Sequence, residues 1–212
     1  MNDGMPTTDS HVIKSIAELE ALYGAPAGAA VAKEIDHLNG PYRKFVEMAP
    51  FVAIASAGSG GLDCTPRGDP VGSFIRVVDE RTVLIPDRRG NNRIDTLRNI
   101  VEDPRIGLLF LIPGIGETLR INGRAHITTD PALCATFEMQ RQVPRSIIVV
   151  KIEKVYFQCT KALVRSKLWD PASIQPRSAL PSVGELVAAT MQGADADEYN
   201  RMYPERIKQT IY

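Results

Sequence analysis

Glu117-Thr-Leu-Arg-Ile-Asn-Gly-Arg-Ala-His-Ile-Thr128 alternates polar and apolar residues along its length. Thr118, Arg120, Asn122, Arg124 and His126 share one face, and Leu119, Ile121, Ala125 and Ile127 share the other. A period of two marks a half-buried strand, because successive side chains leave the pleated backbone on opposite sides. The polar face is either a solvated exterior or the wall of a groove. Working outward, β-prone runs recur at Phe51 to Ser56, Val71 to Val78, Thr82 to Pro86, Arg105 to Ile112 and Ile147 to Gln158. Ala57-Gly-Ser-Gly-Gly61 reads as a flexible turn. Helical stretches fall at Asn92 to Glu102 and at Pro131 to Gln140, the latter with Asp130 as its cap. Six strands in mostly hairpin-like succession, broken by two short helices, predict a mainly β fold with flanking helices (α+β). An antiparallel barrel suits this order better than a doubly wound sheet.

Both flanks of the strand-rich region read as helical. Ser15-Ile-Ala-Glu18 matches a capping box, and amphipathic stretches follow at Ala30 to Leu38 and Pro41 to Met48. After Trp169 come a proline-rich link, a second capping box at Ser182-Val-Gly-Glu185 and a charged helical end. The expected organisation is a helical segment at 1–50 packing on a barrel at 51–169, with a helical tail at 170–212.

Composition narrows the function. Twenty-five basic residues balance twenty-five acidic ones over 212 positions. With no net charge, neither nucleic acid nor an anionic membrane is expected as the main partner. No apolar run approaches the roughly 18 residues of a membrane helix, and Met1 to Ser10 is polar without a signal-peptide core. Cys64, Cys134 and Cys159 form no CxxC pair, which fits a reducing cytoplasm. Cys159 follows aromatic residues at a strand end and is expected to be buried.

The chemistry concentrates in Ile85-Pro-Asp-Arg-Arg-Gly-Asn-Asn-Arg-Ile-Asp-Thr-Leu-Arg98. A β-prone run ends there in a turn carrying Arg88, Arg89 and Arg93, and Asn91 or Asn92 is placed to cap the helix that follows. Guanidinium forks at a helix N-terminus suit a phosphate, although a solvated loop with balanced charge would look the same. Arg67 sits in the turn Cys64-Thr-Pro-Arg-Gly-Asp69, and Lys161 and Arg165 stand one helical turn apart. Each could hold an anion or simply face water. No G-x-G-x-x-G follows a strand, and no P-loop, nucleophile elbow or metal-ligand spacing occurs. No catalytic residue or metal ligand is therefore assigned. A phosphate site without a nucleophile or an acid/base pair suggests that a bound cofactor supplies the reactivity.

Several segments in order share a pattern: Asp63 to Phe74, Leu84 to Arg93, Asn99 to Pro104, Gly107 to Gly114, Glu117 to Ala125 and Lys161 to Trp169. Together they resemble the pyridoxamine 5′-phosphate oxidase-like flavoproteins, and within them a subgroup known only as FMN-dependent enzymes. The resemblance implies a homodimeric split β-barrel with FMN in a groove between the subunits. It puts the FMN phosphate near Arg88, Arg89, Asn92 and Arg93. The ring would lie along Val71 to Arg76, past Ser73 and Phe74, with Arg67 before it and Pro86 and Asp87 at its edge. Thr118 and Arg120 fall where the partner subunit touches the flavin, and Lys161 and Arg165 where late basic contacts occur. The end of the chain, Arg206-Ile-Lys-Gln-Thr-Ile-Tyr212, lacks the basic, proline-containing terminus of true pyridoxine-phosphate oxidases. The expectation is thus an FMN-dependent oxidoreductase using flavin hydride chemistry on an unidentified small molecule, with NAD(P)H as a candidate donor. The alternatives are a non-catalytic flavin- or haem-binding carrier or sensor, and a deazaflavin (F420)-dependent reductase.

Overall fold

A computed structural model of the protein describes residues 11–212. The polar start read at Met1 to Ser10 lies outside the described residues. Internal contacts divide the chain between Glu34 and Ile35. In the first unit, α1 (Ile16–Tyr23) begins at Ser15, whose hydroxyl accepts from the Glu18 N–H at 3.2 Å. The Glu18 carboxylate accepts from Lys14 N–H rather than from Ser15, so only half of the expected capping box forms. A second helix, α2 (Gly28–Ala32), is shorter than the stretch read at Ala30 to Leu38 and ends earlier.

The second unit, Ile35–Tyr212, opens with α3 (Gly40–Met48), β1 (Phe51–Gly58), β2 (Gly61–Gly68), β3 (Arg76–Asp79) and β4 (Thr82–Pro86). It continues through α4 (Asp95–Glu102), β5 (Arg105–Leu111), β6 (Thr118–Thr128), α5 (Pro131–Ala135) and β7 (Ile147–Gln158). The tail holds α6 (Lys161–Ser166), α7 (Val183–Ala188) and α8 (Ala196–Thr210). One sheet of seven antiparallel strands runs β2-β1-β5-β6-β7-β4-β3. Among the described residues, no helix is long and apolar enough to cross a membrane.

Seven strands rather than six is a correction, and the extra one is β2. The glycine-rich segment is a hairpin tip: Gly58 pairs with Gly61, which takes φ 108, and β2 then runs back along β1. Being an edge strand, β2 keeps no apolar face; its residues are exposed or half-buried, with Leu62 91% exposed. A strand without a buried face has no period-two hydropathy to read. Pro66 is tolerated because an edge position does not need every ladder donor. Conversely, the Val71 to Val78 run becomes strand only at Arg76, where β3 (Arg76–Asp79) begins. Before it, Ser73 turns back on the Pro70 carbonyl through its N–H and its hydroxyl.

The alternation of β6 is realised as read. Leu119, Ile121 and Ala125 are buried while Arg124 and His126 are exposed. At Gly123 a Cβ would lie 2.0 Å from the Lys151 carbonyl oxygen, beside the register shift where β7 bulges. All five residues of β4 are buried because both faces are covered. Val83 and Ile85 join the main core, and Leu84 packs with Cys134, Phe137, Ile147 and Val149 beneath α5. Each fully buried aliphatic side chain contributes roughly 1.5–3 kcal/mol by leaving water. Burial pushes the Cys134 thiol up, whereas Cys159 is exposed, against expectation.

Helix α4 is fixed to the β1–β2 hairpin by polar contacts. Thr96 donates to Asp63 at 2.6 Å, Asn99 to Ser56 at 3.1 Å, and the Ser59 N–H to Glu102 at 2.6 Å. Those pins aim its N-terminus at the end of β4. The helix starts at Asp95 rather than Asn92, because Asn92 (φ 61) and Ile94 (φ 53) both adopt the left-handed conformation. Helix α5 stops at Ala135, well short of Gln140, where a turn closed by Met139 and Gln142 takes over.

Candidate functional site

A groove of about 640 Å³ opens where β4 ends. One wall is β2, with Asp63, Thr65 and Arg67. A second is the segment from Asp87 to Leu97, which includes the first turn of α4. Gln142 to Ser146, just before β7, make the third, and Tyr212 reaches in from the end of the chain. The walls meet because Pro86 pairs with Ile147 and the Asp87 N–H donates to the Ser146 carbonyl at 3.0 Å.

The α4 end of the groove is ready for an anion. Ile94, the residue before the helix, provides no side-chain cap, so the first-turn N–H groups keep their partial positive charge for whatever enters. A β-branched residue in the left-handed region is strained, and strain of this kind gathers at binding loops. Neither Asn91 nor Asn92 caps the helix; Asn91 instead accepts from the Arg93 N–H at 3.1 Å.

The three loop arginines differ in what they hold. Arg88 is 12% exposed, donates to Asp69 (2% exposed) at 2.6 Å and to the carbonyls of Phe137 and Ser73, and lies over the Tyr212 ring. Its guanidinium is occupied by the protein. Arg93 is 75% exposed and pairs with Asp95 at 2.7 Å, an exchangeable surface contact. Arg89 is exposed and makes no hydrogen bond to any described residue.

Opposite the helix end, Arg67 pairs with Asp87 at a long 3.4 Å, and its Nε is enclosed without an acceptor. An unsatisfied buried donor costs on the order of 1–3 kcal/mol. Burial pushes the Asp87 carboxyl up, while Arg67 and then Arg145 pull it back. Burial also pushes the Tyr212 hydroxyl up, a hydrogen bond with Asp69 adds to that, and Arg88 opposes it.

The other expected site residues fall elsewhere. Ser73 and Arg76 line a neighbouring hollow of about 500 Å³, where Arg76 donates to Thr136 at 2.8 and 3.0 Å and lies 4.3 Å over the Phe137 ring. Phe74 is core and Pro86 is buried at the end of β4. Thr118 is buried, Arg120 lies over the Tyr156 ring, and Lys161 and Arg165 are exposed on α6. None of these four lines the groove. Thr118 pairs with Gln158 at the last residue of β7, whereas the groove abuts Ile147 at its first. That separation is roughly 35 Å along the strand at about 3.3 Å per residue.

Asp63, Thr65, Arg145 and Tyr212 are groove residues the sequence did not disclose. The pairing of β4 with β7 is what brings Arg145 there, and no local signal announces such a contact. For Tyr212 there was no signal at all.

Residues 38–159, more than half of the chain, match the family described as pyridoxamine 5′-phosphate oxidase. The chain belongs to that family. No curated protein matches it. Among solved structures, HupZ of Group A Streptococcus is 16% identical, over 56% of this chain and 91% of that one, with a TM-score of 0.46. A Clostridium acetobutylicum protein of the pyridoxinephosphate oxidase family, related to general stress protein 26, is 13% identical over 55% and 84%, at 0.41. The FAD binding protein of Mycobacterium smegmatis is 14% identical over 58% and 97%, at 0.39. As a pyridoxamine 5′-phosphate oxidase-family member, the chain has a split-barrel fold, here with seven strands in its sheet.

Proposed function

We propose that this protein is an FMN-binding oxidoreductase acting on a small molecule, and that it works as a homodimer. The observation that carries the reading is the uncapped N-terminus of α4, flanked by Arg89 and by Arg93 in its solvent-exposed pair with Asp95. These donors suit a phosphate monoester, and a charge-assisted hydrogen bond is worth roughly 1.5–3 kcal/mol. Arg88 chiefly stiffens the loop, since three of its five N–H donors are already engaged by the protein. FMN, when bound, supplies hydride or electron transfer. The protein's own residues bind and orient it.

The family's second group of contacts, Thr118, Arg120, Lys161 and Arg165, lies at the opposite end of β7 from the groove. One small ligand can meet both groups only if a second copy brings its own β6–β7 end to the first copy's groove. This supports a site shared between two chains.

Titration of FMN and riboflavin into wild type and Arg93→Ala tests the assignment. FMN should weaken by about one to two orders of magnitude, each 1.4 kcal/mol being tenfold, while riboflavin, which lacks the phosphate, stays nearly unchanged. Equal losses for both would mean that Arg93 supports the fold or the ring. Saturating FMN that shifts neither the spectrum nor the melting temperature of folded protein would end the flavin reading.

A further inference from the structure

We propose a second anion subsite in the same groove, built by Arg67 and Arg145 around Asp87, which takes the carboxylate of a small organic acid. The three residues come from three segments, β2, the end of β4 and the loop before β7, and all line the groove. The Asp87 N–H to Ser146 carbonyl bond ties two of those segments together. Arg67 is held by β2, and the Asp87–Ser146 bond pins the segments carrying Asp87 and Arg145 beside the ends of β4 and β7.

Donors exceed acceptors here. Arg67 has one partner, Asp87, at 3.4 Å, while its Nε has none; Arg145 makes no hydrogen bond to any described residue. Two guanidinium groups thus share one carboxylate that satisfies neither. With Asp87 ionised the trio carries one net positive charge, and with Asp87 protonated it carries two, so the trio attracts a monoanion in either state, more strongly in the second. A planar carboxylate matches the edge of a guanidinium, and Asp87 already presents such a group to Arg67, so the newcomer would replace like with like.

Asp87 would then give up its charge as the ligand arrives, a step that its burial favours. The charged groups acting on it are Arg67 from β2 and Arg145 from the loop before β7. The other ionisable groups lining the groove are Asp63, Arg88, Arg89, Arg93, Asp95 and Tyr212. Ligand binding should therefore take up a proton and tighten as pH falls. The subsite names a polar handle for the substrate in the flavin reading, but it does not require flavin to be bound.

The test is calorimetric titration of benzoate, and of the uncharged benzamide, into the full chain at about pH 5.5 and about pH 7.5, with and without saturating FMN. Benzoate should bind, more tightly at the lower pH, and benzamide should not. Arg145→Gln, at an exposed position that leaves folding intact, should weaken benzoate by about tenfold or more. Arg67→Gln should do the same, with a melting curve to confirm the fold. Asp87→Asn should tighten benzoate at the higher pH and abolish the pH dependence. Equal binding of benzamide, an unchanged Arg145→Gln, displacement by an equal concentration of inorganic phosphate, or competition by FMN would each overturn the proposal. A protein that takes benzoate through these arginines but takes no FMN would overturn the flavin reading and leave this one standing.

Discussion

Asp69 sits in a nearly sealed position, where Arg88 donates to it at 2.6 Å. Arg88→Ala would leave that carboxylate with the Tyr212 hydroxyl but without its counter-charge, so we expect a loss of about 3 kcal/mol or more in denaturant melts. Arg93→Ala breaks only a surface pair and should shift stability by less than about 0.5 kcal/mol while weakening FMN. Measuring melts and FMN titrations on both variants separates the roles; a stable Arg88→Ala would refute the first. In the sequence these arginines looked equivalent, since a guanidinium's partners (Asp69, Phe137 and Ser73 for Arg88) come from distant segments that spacing does not reveal. Asp103 offers a pH test. Hydrogen bonds from the Arg105 side chain, then from its N–H, bring its carboxyl down to about 2. Its folded value lies below the unfolded one near ~3.9. The stabilisation is therefore present above that value and lost as pH falls through about 2. Asp103→Asn should flatten the stability–pH slope across this window in melts taken at several pH values; an unchanged slope would count against the contact.

At the scale of elements, the hydropathy period revealed every strand with a buried face and missed the one without. β6 and β7 were readable from end to end, while β2 was hidden because an edge strand of Asp63, Cys64, Thr65, Pro66 and Arg67 offers no apolar alternation. The start of α4 was misplaced for a different reason: the left-handed Ile94 breaks propensity rules. Ile94→Asn should relieve part of the roughly 1–2 kcal/mol left-handed cost and supply the missing cap, raising the melting temperature. The new side chain would compete with phosphate for the first-turn N–H groups, so FMN affinity should fall. A variant that gained both stability and affinity would argue that the phosphate lies elsewhere. Gly123→Ala should destabilise by at least about 1–3 kcal/mol, because its Cβ meets backbone and not a movable side chain; wild-type melting would contradict this account of the bulge.

For the molecule as a whole, the barrel class was legible from the hairpin-like order of the strands, although their count fell one short; the register joining β4 to β7 was not legible, and with it went Arg145 and the third wall of the groove. Long-range pairing depends on the sum of many weak preferences, so no single residue carries it. The proposed two-chain site makes a prediction at this scale. Arg93→Ala and Arg120→Glu, each impaired alone, should recover part of their FMN binding when mixed, because a heterodimer contains one site with both native halves. A monomer that binds FMN at full affinity would exclude the shared site. Finally, β2 leaves an outer rim of backbone groups bare, with Leu62 standing out beside it. An exposed rim of this kind can recruit foreign strands and seed aggregates. Pro66 removes one donor from it, which makes the rim a poorer template, and the polar side chains around it lower its affinity for other chains. Replacing Pro66 with a β-former such as valine should leave the groove intact yet shorten the time to turbidity on incubation, a solubility cost that no ligand assay would detect.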